Sequence, residues 1–443
     1  MAESSSSVST MPVVPSTPDF SALPAEVKRI VCNYVSSELL PILGWVILST
    51  DRAQLPREDL KTLRLANKTW GRVAASVLWY HISLAVDKNY VERLDTLLTS
   101  PAASVPLANV KNMRIQPKGH VNSEVIGKAL LLLPKDQLKV FHCTGKLDTR
   151  TLGRLIQNQT QLEELAVATV STKRPKSHFI GESLKHLCRL QLELEDSTDL
   201  YGSWFEHTPS LRTLCLSGYL KEQLKIKLWT APSDKPLLKL QVLLLTELDL
   251  PGKPGQVGKL SHIPSLRRLR ISQCKNLRPF LHSLARDFAD HEETLLKKLS
   301  IIDINKLNEC WECELNLLLE STTGLETLQV ETSDANCPSI SSICCHGKSL
   351  RRFYFSFYAN NLEHPHEIIS KSEYSTYDLS ELVNGCPMIE ELSLEIYNLL
   401  PKDLDMDTEP YFLLGEERIT EGDDAANILV GGLLGHIATC ADT

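Results

Sequence analysis

Residues 252–259 read GKPGQVGK, the glycines and lysines from which a phosphate cradle can be built. A phosphate loop needs Gly, four residues, then Gly-Lys-Ser/Thr. Here Lys253 stands where the first Gly should be, and Leu260 replaces the hydroxyl residue that would meet a metal. The stretch therefore reads as a connection between a strand and the next repeat. Cys310 and Cys313 form a C-x-x-C, and Cys344, Cys345 and His346 follow some thirty residues on. Zinc needs four ligands held in set geometry. These groups fall on successive helical stretches and could be neighbours, but buried thiols on helix faces are the simpler account. Among 13 histidines and 55 acids there is no Ser–His–Asp order, no H-E-x-x-H and no paired-carboxylate signature. The residues point to no catalysis, cofactor or metal, which leaves binding as the chemistry to look for.

Binding residues must be positioned by regular elements, and the sequence repeats itself. A phrase of the form apolar-x-x-apolar-x-apolar returns eleven times: VKNMRI at 110, LKVFHC at 138, LEELAV at 162, LCRLQL at 187, LRTLCL at 211, LQVLLL at 240, LRRLRI at 266, LKKLSI at 296, LETLQV at 325, LRRFYF at 350 and IEELSL at 389. Successive starts lie 24 to 39 residues apart, centred near 28. The last two apolar residues of each phrase are two apart and so share one face of a short strand. Between phrases lie segments of helical spacing such as TRTLGRLIQNQT and ECELNLLLESTTG. Neither strand nor helix can bury its apolar side alone, so the units must stack. The expected fold is α/β: a curved solenoid over 81–400, with parallel strands inside and helices outside. LRRLRISQCKNL from 266, with Cys274 and Asn276 in the turn after the strand, and the similar junctions HTPSLRTL, HIPSLRRL and GCPMIEEL resemble the longer, strand–helix class of leucine-rich repeats.

Composition narrows the partners. The formal net charge is −8, which disfavours nucleic-acid phosphates because neutralising them takes clustered Lys and Arg. Twelve cysteines in 443 residues are too sparse for a disulfide scaffold. Several, including Cys143, Cys188 and Cys215, sit beside leucines in strand phrases, as reduced buried thiols do, so a cytoplasmic or nuclear location is expected. Residues 1–19 are Ser/Pro-rich, read as disordered, and carry no signal-peptide pattern. The longest apolar run, LLPILGWVIL at 39–48, is too short for a bilayer of ~30 Å, so no membrane partner is expected. The two Asn-x-Thr sequons, at Asn67 and Asn158, mean nothing inside a cell.

The first hundred residues differ from the array. FSALPAEVKRIVCNYV begins at Phe20, with Pro24 in a first helical turn and Leu23, Val27, Ile30 and Val35 as an apolar stripe. After an apolar insertion at 36–58 comes DLKTLRLANKTWGRVAASVLWYHISL, apolar at Leu60, Leu63, Ala66, Trp70, Val73, Ala74, Val77 and Leu78. Leu-Pro-x-Glu and Ile30, then Asp-Leu-x-x-Leu-Arg-Leu, Asn-Lys-x-Trp, an Ala and a closing Leu-Trp resemble an F-box over residues 20–80. The segments stand some fifteen residues further apart than is typical, because of the insertion. With the run into VKNMRI, the chain is similar to fungal-type F-box proteins that lead into leucine-rich repeats. The resemblance implies docking to the Skp-type adaptor of a cullin–RING ubiquitin ligase, with the repeats holding an unknown target protein and catalysis residing in the partner complex. It places Leu23, Pro24, Val27, Ile30, Leu60, Leu63 and Trp70 at the adaptor. Trp79, next to the first strand, reads equally as the cap of the array. A scaffold whose N-terminal helices are only a cap, with no link to ubiquitin, remains the other reading.

Within each phrase, residues between the apolar ones point to the face opposite the core. Read across, that face carries Arg268 and Arg270, then Lys298, then Arg352 and Tyr354, with Thr327, Gln329 and Glu331 on the strand between. Stacked strands lie ~4.8 Å apart, so this is a compact basic patch on an acidic chain. It suits an acidic or phosphorylated target segment, unless the cations are spent on Glu331 and other carboxylates of the same face. Residues 401–443, acidic and then apolar, read as a cap or an incomplete repeat.

Overall fold

A computed structural model of the chain describes residues 25, 27–28, 68–86, 107–117, 123–131, 133–170, 184–194, 205–218, 239–250, 265–291, 294–304, 310–332, 337–357, 374 and 376–394. The loop at 252–259, the insertion at 36–58 and the terminal stretches 1–19 and 401–443 lie outside the described residues. The chain divides into two compact units, Met1–Gly145 and Lys146–Thr443.

In the first unit, helix α1 (Lys68–Tyr80) runs without a linker into strand β1 (His81–Val86). Strands β2 (Asn112–Pro117) and β3 (Val140–Cys143) follow, with helix α2 (Ser123–Leu131) between them. β1 pairs with β2 and β2 with β3, both parallel. Consecutive parallel strands need a crossover, and α2 lies in one of them.

In the second unit, helix α3 (Thr149–Asn158) leads to β4 (Glu164–Val170), β5 (Arg189–Leu194), β6 (Thr213–Ser217), β7 (Val242–Thr246) and β8 (Arg268–Ser272). Then strand and helix alternate: α4 (Leu277–Ala289), β9 (Lys298–Asp303), α5 (Glu312–Glu320), β10 (Thr327–Thr332), α6 (Ile340–Cys344), β11 (Arg352–Phe357), α7 (Thr376–Gly385) and β12 (Glu391–Leu394). Each strand from β4 to β12 pairs in parallel with the next in sequence. The fold is α/β with parallel, stacked strand-plus-connector repeats.

Every one of the eleven phrases opens a strand two residues after its first apolar position. The pairing register also matches phrase to phrase, so Leu269, Leu299, Leu328 and Phe353 are neighbours in a row. These side chains, and Ile271, Ile301, Val330 and Phe355 two residues on, are at most 2% exposed. Burying a side chain of this size contributes roughly 1.5–3 kcal/mol, and a slip of one residue would turn the whole row to the other face. That is what holds the register. The connectors absorb the uneven spacing. The 30-residue step from 266 carries the 13-residue α4, with Phe280, Leu281, Leu284 and Phe288 buried, whereas the described residues of the 24-residue step from 187 include a three-residue 3-10 turn, Phe205–His207.

The turn after the strand is itself repeated. Glu247 and Gln273, each one residue past its strand, adopt φ of 56° and 54°. The Gly218 N–H donates to the Thr246 carbonyl (2.8 Å), Glu247 N–H to Ser272 (2.8 Å) and Gln273 N–H to Ile302 (2.7 Å). Left-handed backbone costs a non-glycine residue roughly 1–2 kcal/mol, which this ladder of hydrogen bonds offsets. At the other end of the unit the core thins: Ile389, Leu392 and Leu394 are only half-buried where their counterparts are closed off.

Candidate functional site

Opposite the buried rows, the other face of the strands β7–β12 carries half-buried and exposed side chains. Its first row, in register, is Val242, Arg268, Lys298, Thr327, Arg352 and Glu391; its second is Leu244, Arg270, Ser300, Gln329, Tyr354 and Ser393. All five residues expected at the target site are thus on one face of one sheet, half-buried or exposed. Their electrostatics divide them. Arg352 Nε pairs with Glu391 Oε1 at 3.3 Å, and Tyr354 donates its hydroxyl to the other oxygen of the same carboxylate. Burial first, and the Glu391 carboxylate second, raise the Tyr354 phenol above its usual range. Beside them Arg351 pairs with Glu390.

Arg268, Arg270 and Lys298 carry no ion pair among the described residues. Glu331, which could have neutralised them, instead accepts a hydrogen bond from Gln329 Nε2, while Gln329 Oε1 accepts from Ser300 Oγ at 3.0 Å. On their other side stand Val242 and Leu244, half-buried, directly paired with Arg268 and Arg270. Further along the sheet the sign reverses: burial and the neighbouring Glu193 raise the Glu247 carboxyl. The alternation rule applied to IEELSL would have found Glu391. The aliphatic flank was equally legible in LQVLLL, whose third and fifth residues are Val242 and Leu244.

At the N-terminus, Val27 is 38% exposed and Trp70 is 6% exposed. Lys28, almost fully buried, sets its Nζ 5.7 Å from the centroid of the Trp70 ring. A cation at that distance over an indole is worth ~0.5–2 kcal/mol, so Trp70 works inside this segment. Trp79 is half-buried. Leu23, Pro24, Ile30, Leu60 and Leu63 lie outside the described residues.

The cysteines do not converge. Among the described residues no group of three or more His, Cys, Asp or Glu side chains could hold a metal ion. Cys310 and Cys313 are exposed, Cys344 Sγ donates to the Glu381 carbonyl (3.8 Å), and Cys345 Sγ to the Ser341 carbonyl (3.4 Å). Every described cysteine is a free thiol. Burial pushes the Cys143 and Cys215 thiols up to about 11 and Cys274 to about 12, which keeps them protonated and poorly nucleophilic at neutral pH. Cys188, expected to be buried with them, is exposed: it is the second residue of its phrase, ahead of the strand, and points away from the core.

His346 is 1% exposed, and among the described residues neither ring nitrogen meets hydrogen-bond geometry with a partner. Burial lowers its pKa to about 4, partly offset by the nearby Leu319 carbonyl, which lies outside hydrogen-bond geometry. Elsewhere in the repeats, the Trp311 indole N–H donates to Asp303 Oδ2 at 3.1 Å, and Arg278 Nε to Glu314 Oε1 at 2.8 Å. These polar contacts lie within the packed repeats and not on the open strand face. No helix among the described residues is long and apolar enough to cross a membrane. Compared with known proteins, the chain matches no family model and no curated sequence.

Proposed function

We propose that this chain is the substrate-recognition subunit of a cullin–RING ubiquitin ligase of the F-box type. Residues 20–80 dock a Skp-type adaptor and the open strand face of the repeats holds a target protein. The observation that carries the binding half is the row of in-register strands that leaves three cations, Arg268, Arg270 and Lys298, without an ion pair among the described residues. A protein surface keeps such charges unspent at little cost, and they become valuable when a partner desolvates them. The adaptor half rests on the sequence resemblance. The exposure of Val27 on the first helical segment is in keeping with it. The chain itself is not an enzyme on this reading. It raises the effective concentration of target lysines near the ligase.

The test is capture of a Skp-type adaptor by the full chain, with a Leu23→Ala, Pro24→Ala double variant beside it. Wild-type capture that the double variant loses, with unchanged far-UV circular dichroism, supports the reading. Failure of folded wild-type chain to capture the adaptor removes it. A second reading has its own observation. Trp70 is buried and α1 passes directly into β1, as a cap on a protein-interaction scaffold with no link to ubiquitin would.

A further inference from the structure

The geometry of the open face specifies more than a basic surface. Arg268 and Arg270 are two residues apart on one strand and face the same way, ~6.8 Å from each other along the chain. An extended segment laid along that strand repeats its own side chains at the same pitch, with every second one facing the sheet. Two carboxylates separated by one residue would therefore each meet one guanidinium, and a fork-to-carboxylate contact is among the strongest hydrogen-bonded pairs available. Lys298 is paired in register with Arg268 on the next strand, ~4.8 Å away, and reinforces the first of the two positions. Val242 and Leu244, paired with the same two arginines from β7, wall off water on that side, which strengthens each charge contact. Arg352 and Tyr354 are excluded from the grip because Glu391 holds both.

We propose that the Arg268–Arg270–Lys298 face binds an extended partner segment in which two acidic residues flank a single intervening residue, Asp/Glu-x-Asp/Glu. This rests on the target-binding reading above and names the chemistry of its ligand. Spacing, not total charge, sets recognition. An acidic residue displaced by one position faces away from the sheet and contributes only screened attraction.

The experiment measures binding of two fluorescein-labelled peptides of identical composition to the full chain at low ionic strength. One carries Asp-Ser-Asp and the other Asp-Ser-Ser-Asp, each in a Ser/Gly background. The first binds at least fivefold more tightly. That preference disappears in Arg268→Gln, Arg270→Gln, and Arg352→Gln changes the affinity less than twofold. The arginine substitutions remove no ion pair among the described residues, so circular dichroism remains that of wild type. Equal binding of the two spacings overturns the proposal, as does an Arg352→Gln loss as large as that of the double variant. Tighter binding of a peptide with one phosphoserine and no aspartate overturns it in favour of a phosphate site. The chain's own Asp403, Asp405 and Asp407 share the alternating spacing. A tenfold gain in peptide affinity on changing all three to Asn would make this chain, and not a partner, the occupant. Adaptor capture is scored separately, so loss of the ubiquitin reading with the spacing preference intact leaves this inference standing.

Discussion

Gly347→Ala should destabilise the last two repeats. Gly347 follows α6 and lies against the end of α7. A Cβ built there would stand 1.8 Å from the Gly385 carbonyl oxygen, 3.0 Å from its carbon and 3.1 Å from the Cys344 carbonyl oxygen. All three atoms are backbone, so no rotamer change relieves the contact. Ordinary contact begins near 3.4 Å, so the two helix ends must part by about 1.6 Å. Overpacking of this kind costs about 1–3 kcal/mol, and a backbone-only clash belongs near 3 kcal/mol. Stacked repeats contact mainly their neighbours, so the loss falls on β11, α7 and β12 and not on β4–β6. Hydrogen exchange reads this repeat by repeat: amides of β11 and β12 should lose ~100-fold protection, while those of β5 and β6 keep theirs. Gly153→Ala is the internal control. Gly153 lies within α3 with nothing within 4 Å of the added Cβ, so the same substitution should stabilise its helix by roughly 0.5–1 kcal/mol. Equal exchange at β11 and β12 in wild type and Gly347→Ala would refute the steric argument. So would a Gly153→Ala chain less stable than its parent.

Two further outcomes follow from buried polar groups. Trp311→Phe removes the indole N–H that reaches the Asp303 carboxylate in a fully buried position; the lost donor costs about 1–3 kcal/mol, read as a lower melting temperature, whereas an unchanged melt would show that the carboxylate is otherwise satisfied. His346 is neutral in the folded chain, with a pKa of about 4 against an ordinary 6.5. Between those values the unfolded chain binds the proton and the folded chain does not. Stability from this residue is thus full above pH 6.5 and is lost progressively as pH falls toward 4, by up to ~3 kcal/mol. His346→Leu should flatten that part of the pH–stability curve, and a slope equal to wild type would sink the assignment.

The strand positions were readable because stacking imposes one rule on every unit. Positions one, four and six of each phrase must be buried, which leaves three and five on the opposite face. Eleven repetitions of that constraint make the periodicity unambiguous, and Arg268, Arg270, Lys298, Arg352 and Tyr354 all stand on the face it assigns. The helices over TRTLGRLIQNQT and ECELNLLLESTTG were legible for the same reason, since each buries a stripe of helical spacing. Periodicity says which way a side chain points but not which neighbour it leans toward. Arg352 finds Glu391, 39 residues away, only because the intervening connector closes with β12 in register beside β11. Glu331 accepts from Gln329, two residues back on its own strand, and not from Arg268 or Arg270, which stand two strands away; alternation puts all of them on one face but does not say which pair closes. Burial of Trp70 under Lys28 likewise joins residues more than forty positions apart. The sequence could therefore name the face and its five polar residues. Which of their charges remain available to a partner was decided by tertiary pairing, because ion pairs form through space between residues that the repeat pattern treats as independent.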